Sequence, residues 1–278
     1  MPRRLQHLNH NASPHAMFKK AGVAEAAKAK LPGSVDLREW CSPVEDQDDL
    51  GSCTAHAGIG LVEYYERKAF GKHIDASRLF LYKTTRNLIH QKGDTGAYLR
   101  TTMEALILFG VPPEEFWPYD IENYDKEPTA FCYSFAQNYQ TLQYVRLDPP
   151  LKDTKQTLQR IKTNLAASMP AMFGFSVYDS ISQADDNGRI PFPAKGEKVL
   201  GGHAIMAVGY DDKMKIANRT SKKSTTGALL VRNSWGRGWG EQGYGWLPYE
   251  YVLQGLAVDW WTVLKNEWID TGEFRLEE

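Results

Sequence analysis

The strongest constraint on the fold is a change of pattern along the chain, from helical periodicity to strand-like runs. In the first half, "TAHAGIGLVEYYERKAF" is a helical run to about Phe70, and "AYLRTTMEALILFG" places apolar residues on one helical face before Gly110. After a third helical segment, Thr154–Ser168, come the runs "AMFGFSVY", "GGHAIMAVGYD", "GALLVRNSW" and "GYGWLPYEYV". This pattern predicts an α+β protein with a boundary near residues 140–150.

Length and charge narrow the classes of function. At 278 residues the chain is long enough for one large domain or for two medium lobes that share an interface. The net charge of −1 provides no overall field that would attract nucleic acid or anionic lipid. The longest apolar runs, such as Ala105–Val111 and Leu200–Tyr210, are far shorter than the roughly 20 residues that cross a bilayer. We therefore expect neither a nucleic-acid partner nor a membrane-spanning segment.

The cysteines and the N-terminal residues carry less information. Cys41, Cys53 and Cys132 allow at most one disulfide, which is unlike a disulfide-stapled secreted domain. Residues 1–30 are basic and mostly polar, so they are interpreted as an extension outside the core. They do not have the apolar segment of a secretory signal, and the compartment stays open.

A cysteine nucleophile needs a base, a group that orients the base, and donors for the oxyanion. The sequence contains a cysteine and three other residues with this chemistry. Cys53 opens a helical run, where the helix dipole and free N–H groups favour a thiolate. His203 starts a strand-like run behind two glycines, and Asn233 ends another, from which it can accept an imidazole N–H. Gln47 supplies a side-chain N–H, which together with the Cys53 backbone N–H would form an oxyanion hole.

Three sequence blocks around these residues resemble the signature blocks of the papain-like, cathepsin-like cysteine peptidases. They are "PVEDQDDLGSCTAHA", "GGHAIMAVGYD" and "RNSWGRGWGEQGYG". The separation of Cys53 from His203 is 150 residues, and that from Asn233 is 180. The family places both about 130–150 residues downstream of its cysteine, so a longer hairpin with the tip "NRTSKKSTTG" is expected before Asn233.

The resemblance implies a fold, a mechanism and partners. It implies a helical left lobe (residues 31–145), a β-barrel-like right lobe (146–278) and an active-site cleft between them. Cys53 becomes the nucleophile, His203 the acid and base, Asn233 the orienting residue and Gln47 the oxyanion donor, with a thiolate–imidazolium pair expected. No cofactor or metal is required. The expected partners are peptide or protein substrates and proteinaceous cysteine-protease inhibitors, and the protein is expected to be a monomer.

The resemblance implies further roles for residues inside and outside the three blocks. Gly96, in "KGDTGAY", falls where the family has a glycine-rich strand that binds an extended peptide. Gly202 would leave the cleft wall beside His203 open, and Trp235 would cover the hydrogen bond between His203 and Asn233. Residues 1–30 are a candidate short prosegment. His56 is the one competing base, and we interpret it as an interior histidine.

The sequence departs from the family at two positions and leaves two other functions open. Thr54 stands where an aromatic residue is common, which is expected to change a cleft wall but not the proton chemistry, and Leu50 stands where a cysteine is common. The second difference favours a microbial or intracellular member.

An endopeptidase is favoured because no pair of histidines is found that would cap the cleft. An acyl-transferring ligase with the same triad and a degenerate, peptide-binding relative remain alternatives.

Overall fold

The computed structural model describes residues 30–148 and 153–268. Most of its helices lie in the first half of the chain, as the sequence predicts. None of the described helices is both long enough and apolar enough to cross a membrane. The helices are α1 (Cys53–Phe70), α2 (Arg78–Leu88), α3 (Leu99–Leu108), α4 (Ala130–Ala136), α5 (Thr154–Ala166) and α6 (Tyr249–Leu253). The possible prosegment, apart from Lys30, lies outside the described residues.

The helix ends follow from local chemistry. α1 ends where Gly71 adopts a left-handed conformation with φ of 71°, and the Gly71 N–H donates to the Arg67 carbonyl. α2 begins after Ser77, whose hydroxyl accepts the Phe80 N–H. The predicted end of the first helical run at about Phe70 is therefore confirmed.

Seven strands form one antiparallel sheet. Its order is β2-β7-β3-β4-β5-β6, and β1 pairs with β4 beside this path. The long β4–β5 hairpin has its turn at residues 218–223, so the predicted position of the hairpin tip is confirmed. The strands are β1 (Ser34–Asp36), β2 (Tyr139–Arg146), β3 (Ala171–Tyr178), β4 (Val199–Ala217), β5 (Ser224–Arg232), β6 (Tyr244–Pro248) and β7 (Ala257–Trp268).

The sheet differs from the expected right lobe in two respects. Across residues 30–148 and 153–268 no strand pairing joins β2 to β6, so the sheet is not a closed barrel. Alternating residues predict strands, but they do not determine whether the two outer strands meet, which depends on tilt and stagger. In addition, β1 lies near the start of the described chain and β2 at its midpoint, and they pair with β4 and β7. The boundary near residues 140–150, which β2 crosses, stays a prediction.

Helix α1 packs directly against the sheet, because side chains of β4 and β5 lie close to its backbone at Gly60. A side chain at Gly60 would place its Cβ 3.0 Å from Arg232 Nη1 and 3.1 Å from Met206 Sδ. Arg232, at the end of β5, is buried and donates from Nη2 to the Pro43 carbonyl and to the Ser42 hydroxyl. β4 and β5 are thereby held against α1, which contains the predicted nucleophile.

A charge cluster around the buried Arg78 holds the segment before α1. Arg78 is 1% exposed, and its guanidinium lies within 3.2 Å of the nearest oxygen of each of four carboxylates. These belong to Glu45, Glu63, Asp75 and Glu114. In the described chain, Glu45, Asp75 and Glu114 are also close enough to share a metal ion, but Arg78 already supplies a cation to all three. The cluster links the Glu45 loop to α1 and α2.

Candidate active site

The structure brings three of the predicted residues to one place. Cys53 is the first residue of α1, His203 lies in β4, and Asn233 directly follows β5. The backbone N–H of Ala204, next to His203, hydrogen-bonds to the Cys53 thiol and favours its charged form. Cys53 is half-buried, whereas His203 and Asn233 are 8% and 3% exposed. The seam between α1 and the sheet therefore holds the thiol beside the histidine segment.

The hydrogen bonds of Asn233 determine the tautomer of His203. The Ser234 backbone N–H lies 2.9 Å from Asn233 Oδ1, and because it can only donate, this atom must be the amide oxygen. The same oxygen lies 2.8 Å from His203 Nε2, so Nε2 must carry a proton and donate it. In the neutral ring, Nδ1 is then the unprotonated nitrogen. His203 therefore keeps Nδ1 available to accept a proton.

Trp235 lies against this pair. Its ring stacks on His203 with centroids 4.7 Å apart and an angle of 19° between the planes. Trp239 meets Trp235 edge to face at 5.5 Å and is buried, so it belongs to the packing. The indole of Trp235 therefore shields one face of His203 from solvent, which strengthens the hydrogen bond to Asn233.

The amide of Gln47 is fixed by two partners. The Ser234 hydroxyl donates to Gln47 Oε1 at 2.6 Å, and Gln47 Nε2 donates to the Leu50 carbonyl at 2.9 Å. One of the two Nε2 hydrogens is thereby used, and the second stays available as a donor. The backbone N–H of Gln47 donates to the Ser234 carbonyl at 2.8 Å, which ties the glutamine loop to the Asn233 segment.

Burial opposes an isolated charge on either reacting group. It raises the pKa of the Cys53 thiol, although the N–H groups of Ala204, Thr54 and Cys53 act in the opposite direction. Burial lowers the pKa of His203 from 6.5 to about 4, and the hydrogen bond to Asn233 offsets only part of this. Charges are therefore favoured here only as a pair of opposite sign.

His56 and Thr54, which lie near the nucleophile in helix α1, are both buried. His56 is 2% exposed, burial holds its pKa well below 6.5, and its Nδ1 lies 3.3 Å from the Ser52 carbonyl oxygen. It is an interior histidine, as predicted. Thr54 is 3% exposed, so its side chain is buried, and the effect expected on a cleft wall stays a prediction. The second residue of a helix that is packed on several sides points into the interior.

The two glycines predicted to bind substrate differ in accessibility. Gly202 is exposed, and a Cβ placed on it would meet no atom within 4 Å. Gly96 adopts φ of 71°, but its N–H donates to the Tyr82 hydroxyl at 3.1 Å and its carbonyl accepts from Thr95 Oγ1 at 3.3 Å. The backbone of Gly96 is therefore already hydrogen-bonded, which the sequence could not indicate because Tyr82 is 14 residues away.

Sequence reasoning missed Tyr119, which connects the glutamine loop to the residue before the nucleophile. Its hydroxyl donates to the Gln47 carbonyl at 2.9 Å and lies 2.6 Å from Ser52 Oγ. Because the single tyrosine hydrogen goes to the carbonyl, Ser52 donates to Tyr119. Tyr119 is 72 residues from Gln47, in a loop whose local sequence has no catalytic signature, so no sequence signal indicates this role.

Replacing Tyr119 by phenylalanine is expected to lower the free energy of unfolding by about 1–3 kcal/mol, because the carbonyl of the buried Gln47 loses its side-chain donor. Urea unfolding followed by circular dichroism measures this change. Tyr98→Phe is the matched control, since Tyr98 is 64% exposed and its hydroxyl has no hydrogen-bond partner among the described residues. Equal stabilities of the two variants would contradict the role of the Tyr119 hydroxyl.

Comparisons with known proteins agree with this geometry. A family model described as papain family cysteine protease matches residues 31–254. The uncharacterized peptidase C1-like protein L477 of Acanthamoeba polyphaga mimivirus is 34% identical over 245 residues, which are 84% of this chain and 75% of that protein. The chain spans 44%, 61% and 66% of three other curated relatives that it matches.

Solved structures give the same result. The crystal structure of xylellain, a cysteine protease from Xylella fastidiosa, matches with a TM-score of 0.71 and 34% identity, over 88% of this chain and 89% of that one. The bromelain protease from Ananas comosus in complex with the E64 inhibitor shares the fold, with a TM-score of 0.61, 21% identity, and coverage of 84% of this chain and 100% of that one. These likenesses confirm the predicted papain-like α+β fold. The chain is thus a cysteine peptidase and belongs to the papain family.

Proposed function

We propose that the chain hydrolyses peptide bonds with Cys53 as the nucleophile, His203 as the proton carrier and Asn233 as the orienting residue. The thiol proton moves to His203 Nδ1, and the sulfur attacks the carbonyl carbon of the scissile bond. The ring then donates this proton to the leaving amine, which leaves a thioester on Cys53. Water, deprotonated by the same nitrogen, releases the acid and regenerates the thiol.

The observation that carries this proposal is the pair of donors on Asn233 Oδ1. Ser234 N–H and His203 Nε2 both bind this oxygen, at 2.9 and 2.8 Å, so the neutral ring has its bare nitrogen at Nδ1. A histidine with the opposite tautomer would present a proton at Nδ1 and could not accept one there. The Ala204 N–H on the thiol supports the placement of Cys53 beside this segment.

Gln47 and the Cys53 backbone N–H are proposed to bind the oxyanion of the tetrahedral intermediate. The amide of Gln47 is held by Ser234 and Leu50, so little reorganisation is needed when charge develops on the substrate oxygen. Trp235 excludes water from one face of the ring. Gly202 is proposed to leave room beside His203 for the substrate backbone, because no atom surrounds the position of its missing side chain.

The pH profile of kcat/KM is expected to have an acid limb with its midpoint near pH 4. Since burial lowers the pKa of His203 from 6.5 to about 4, the ring takes up no proton from solvent between these values and can accept the thiol proton. As the pH falls through 4, the ring takes a proton from solvent and activity is lost. Initial rates on a fluorogenic peptide between pH 3 and 8, with circular dichroism at each pH, measure the limb. A midpoint near 6.5 in folded protein would contradict the proposal.

The thiolate–imidazolium pair stays a prediction that alkylation can test. Burial disfavours either charge alone, but transfer of the proton from sulfur to Nδ1 creates a pair with no net charge, and the N–H of Ala204 stabilises the sulfur anion. We expect iodoacetamide to alkylate Cys53 at pH 6 faster than an ordinary thiol reacts there. A rate that rises only above pH 8 would show that the pair is neutral before substrate binds.

We further propose endopeptidase activity, with the cleft between helix α1 and the sheet open at both ends. The exposed position of Gly202 supports an open wall next to His203. An internally quenched peptide with blocked termini distinguishes the activities, because an exopeptidase needs a free end. Cleavage of the unblocked peptide alone would contradict the endopeptidase assignment, and a peptide-library profile would then define the preferred residues.

A further inference from the structure

A second concave site lies in the β-rich part of the protein. Its cavity volume is about 240 Å³, and it is formed between the β4–β5 hairpin and the segment that follows β3. None of Cys53, His203, Asn233 and Gln47 lines it, so it is separate from the candidate active site. The lining residues are Gln183, Asn187, Arg189, Lys215, Ala217, Arg219 and Ser224.

The alternation of side chains along β4 explains why the basic residues of the hairpin lie on one face. Successive side chains of a strand point to opposite faces, so Lys215 and Ala217 share one face of β4, and Arg219 continues the same spacing into the turn. Ser224 of β5 pairs directly with Ala217 and lies on that face as well. The small side chain of Ala217 leaves space between the two basic residues. Arg189, from the segment that follows β3, also lines the cavity.

The polar groups of the lining are mainly hydrogen-bond donors. Gln183 Oε1 accepts the Arg219 backbone N–H at 2.8 Å, and the Gln183 carbonyl accepts from Arg219 Nη2 at 3.0 Å. Asn187 Oδ1 accepts the Arg189 backbone N–H at 2.9 Å. The amide oxygens are thus occupied, whereas the Asn187 NH₂ group and the remaining N–H groups of the cations can still donate.

The cavity has three cationic side chains and no carboxylate among its lining residues. Within the described parts of the chain, none of Arg189, Lys215 and Arg219 forms an ion pair with a carboxylate. Like charges that share a concave surface repel one another, and an anion bound between them relieves this repulsion. The whole chain has a net charge of −1, so the positive cavity is a local feature.

We propose that this cavity binds an oxyanion of the phosphate or sulfate type. Guanidinium groups match the geometry of such an anion, and an ammonium group adds a compact charge. The volume accommodates one tetrahedral oxyanion or a short chain of linked phosphates. The free ion and a phosphate chain present the same chemistry, and the affinities for the two distinguish which source the site prefers.

Isothermal titration calorimetry on the full chain tests the site, with inorganic phosphate and tripolyphosphate as separate probes at constant ionic strength. We expect saturable binding of one equivalent of at least one probe. Tighter binding of tripolyphosphate would assign the site to linked phosphates, and equal affinities would assign it to a single oxyanion. The absence of saturable binding of either probe at millimolar concentration would overturn the proposal.

Two double variants that remove the same charge distinguish binding in the cavity from general attraction of anions to the protein surface. The double variant Lys215→Gln/Arg219→Gln is expected to weaken binding at least tenfold. The control Lys195→Gln/Lys223→Gln removes the same charge at exposed residues outside the lining, and it should change the affinity less than twofold. Equal losses in the two double variants would overturn the site. Because Arg219 also bonds to Gln183, the single variant Lys215→Gln is measured too, and an unchanged affinity in it would likewise contradict the proposal.

Discussion

Replacement of Cys53 by alanine is expected to reduce peptide hydrolysis to the uncatalysed background while the fold is retained. The thiol is the proposed attacking atom, and alanine offers no atom that can form the thioester. Since Cys53 is only half-buried at the first position of α1, the loss of one sulfur atom should have a small effect on stability. Initial rates on a fluorogenic peptide, together with thermal unfolding, measure the two effects.

Cys41→Ala is the matched control for this experiment. Burial raises the pKa of the Cys41 thiol to about 11, and its Sγ lies 3.7 Å from the Leu37 carbonyl oxygen, so it is an inert interior thiol. We expect this variant to keep its activity and to lose some stability. Hydrolysis by Cys53→Ala within tenfold of the wild type would show that Cys53 is not the nucleophile.

The same pair of variants tests the two alternative functions. The epoxide E-64 should label the wild type and Cys41→Ala with one equivalent, and it should not label Cys53→Ala. An absence of labelling in the wild type would favour a degenerate peptide-binding relative. Amide products formed when an amine is added would instead favour an acyl-transferring ligase.

Replacement of Gln47 by alanine is expected to lower kcat by about 10²–10³ with little change in KM. The free N–H of Gln47 is proposed to act on charge that develops in the transition state, so its loss should leave binding of the ground state nearly unchanged. The Ser234 hydroxyl, which donates to Gln47 Oε1 at 2.6 Å, would lose this partner, so stability is measured in parallel. Steady-state kinetics over a full range of substrate concentration separates kcat from KM.

Gln159→Ala serves as its control, because Gln159 is an exposed residue of α5 and alanine is a good helix former. We expect it to show wild-type kinetics. A loss of less than tenfold in Gln47→Ala would remove the glutamine from the oxyanion hole. An equal rise of KM with kcat unchanged would indicate uniform substrate binding instead.

Local patterns were enough to predict the elements that carry the site. The start of α1 at Cys53, its end near Phe70 and the strand that contains His203 follow from periodicity and from glycine placement, which act over a few residues. The tip of the β4–β5 hairpin follows from its polar, lysine-rich composition. The sequence did not indicate that β1 pairs with β4 and β2 with β7, because these pairings join segments that are far apart along the chain.

Several features of the site depend on residues that are distant in sequence. Tyr119 reaches Gln47 and Ser52, Ser234 orients the Gln47 amide, and Tyr82 occupies the N–H of Gly96. Each contact is a single hydrogen bond between segments 14 to 187 residues apart. A pattern along the chain contains no information about such a bond, because its formation depends on how helices and strands pack.

The order of residues was enough to establish which chemical groups are present and on which local elements they lie: a thiol at a helix start, an imidazole in a strand and an amide after another strand. Which nitrogen of His203 carries the proton and which N–H of Gln47 stays free became known from the folded arrangement. Side-chain chemistry is a property of each residue, whereas protonation and donor availability depend on neighbours that folding brings within 3 Å.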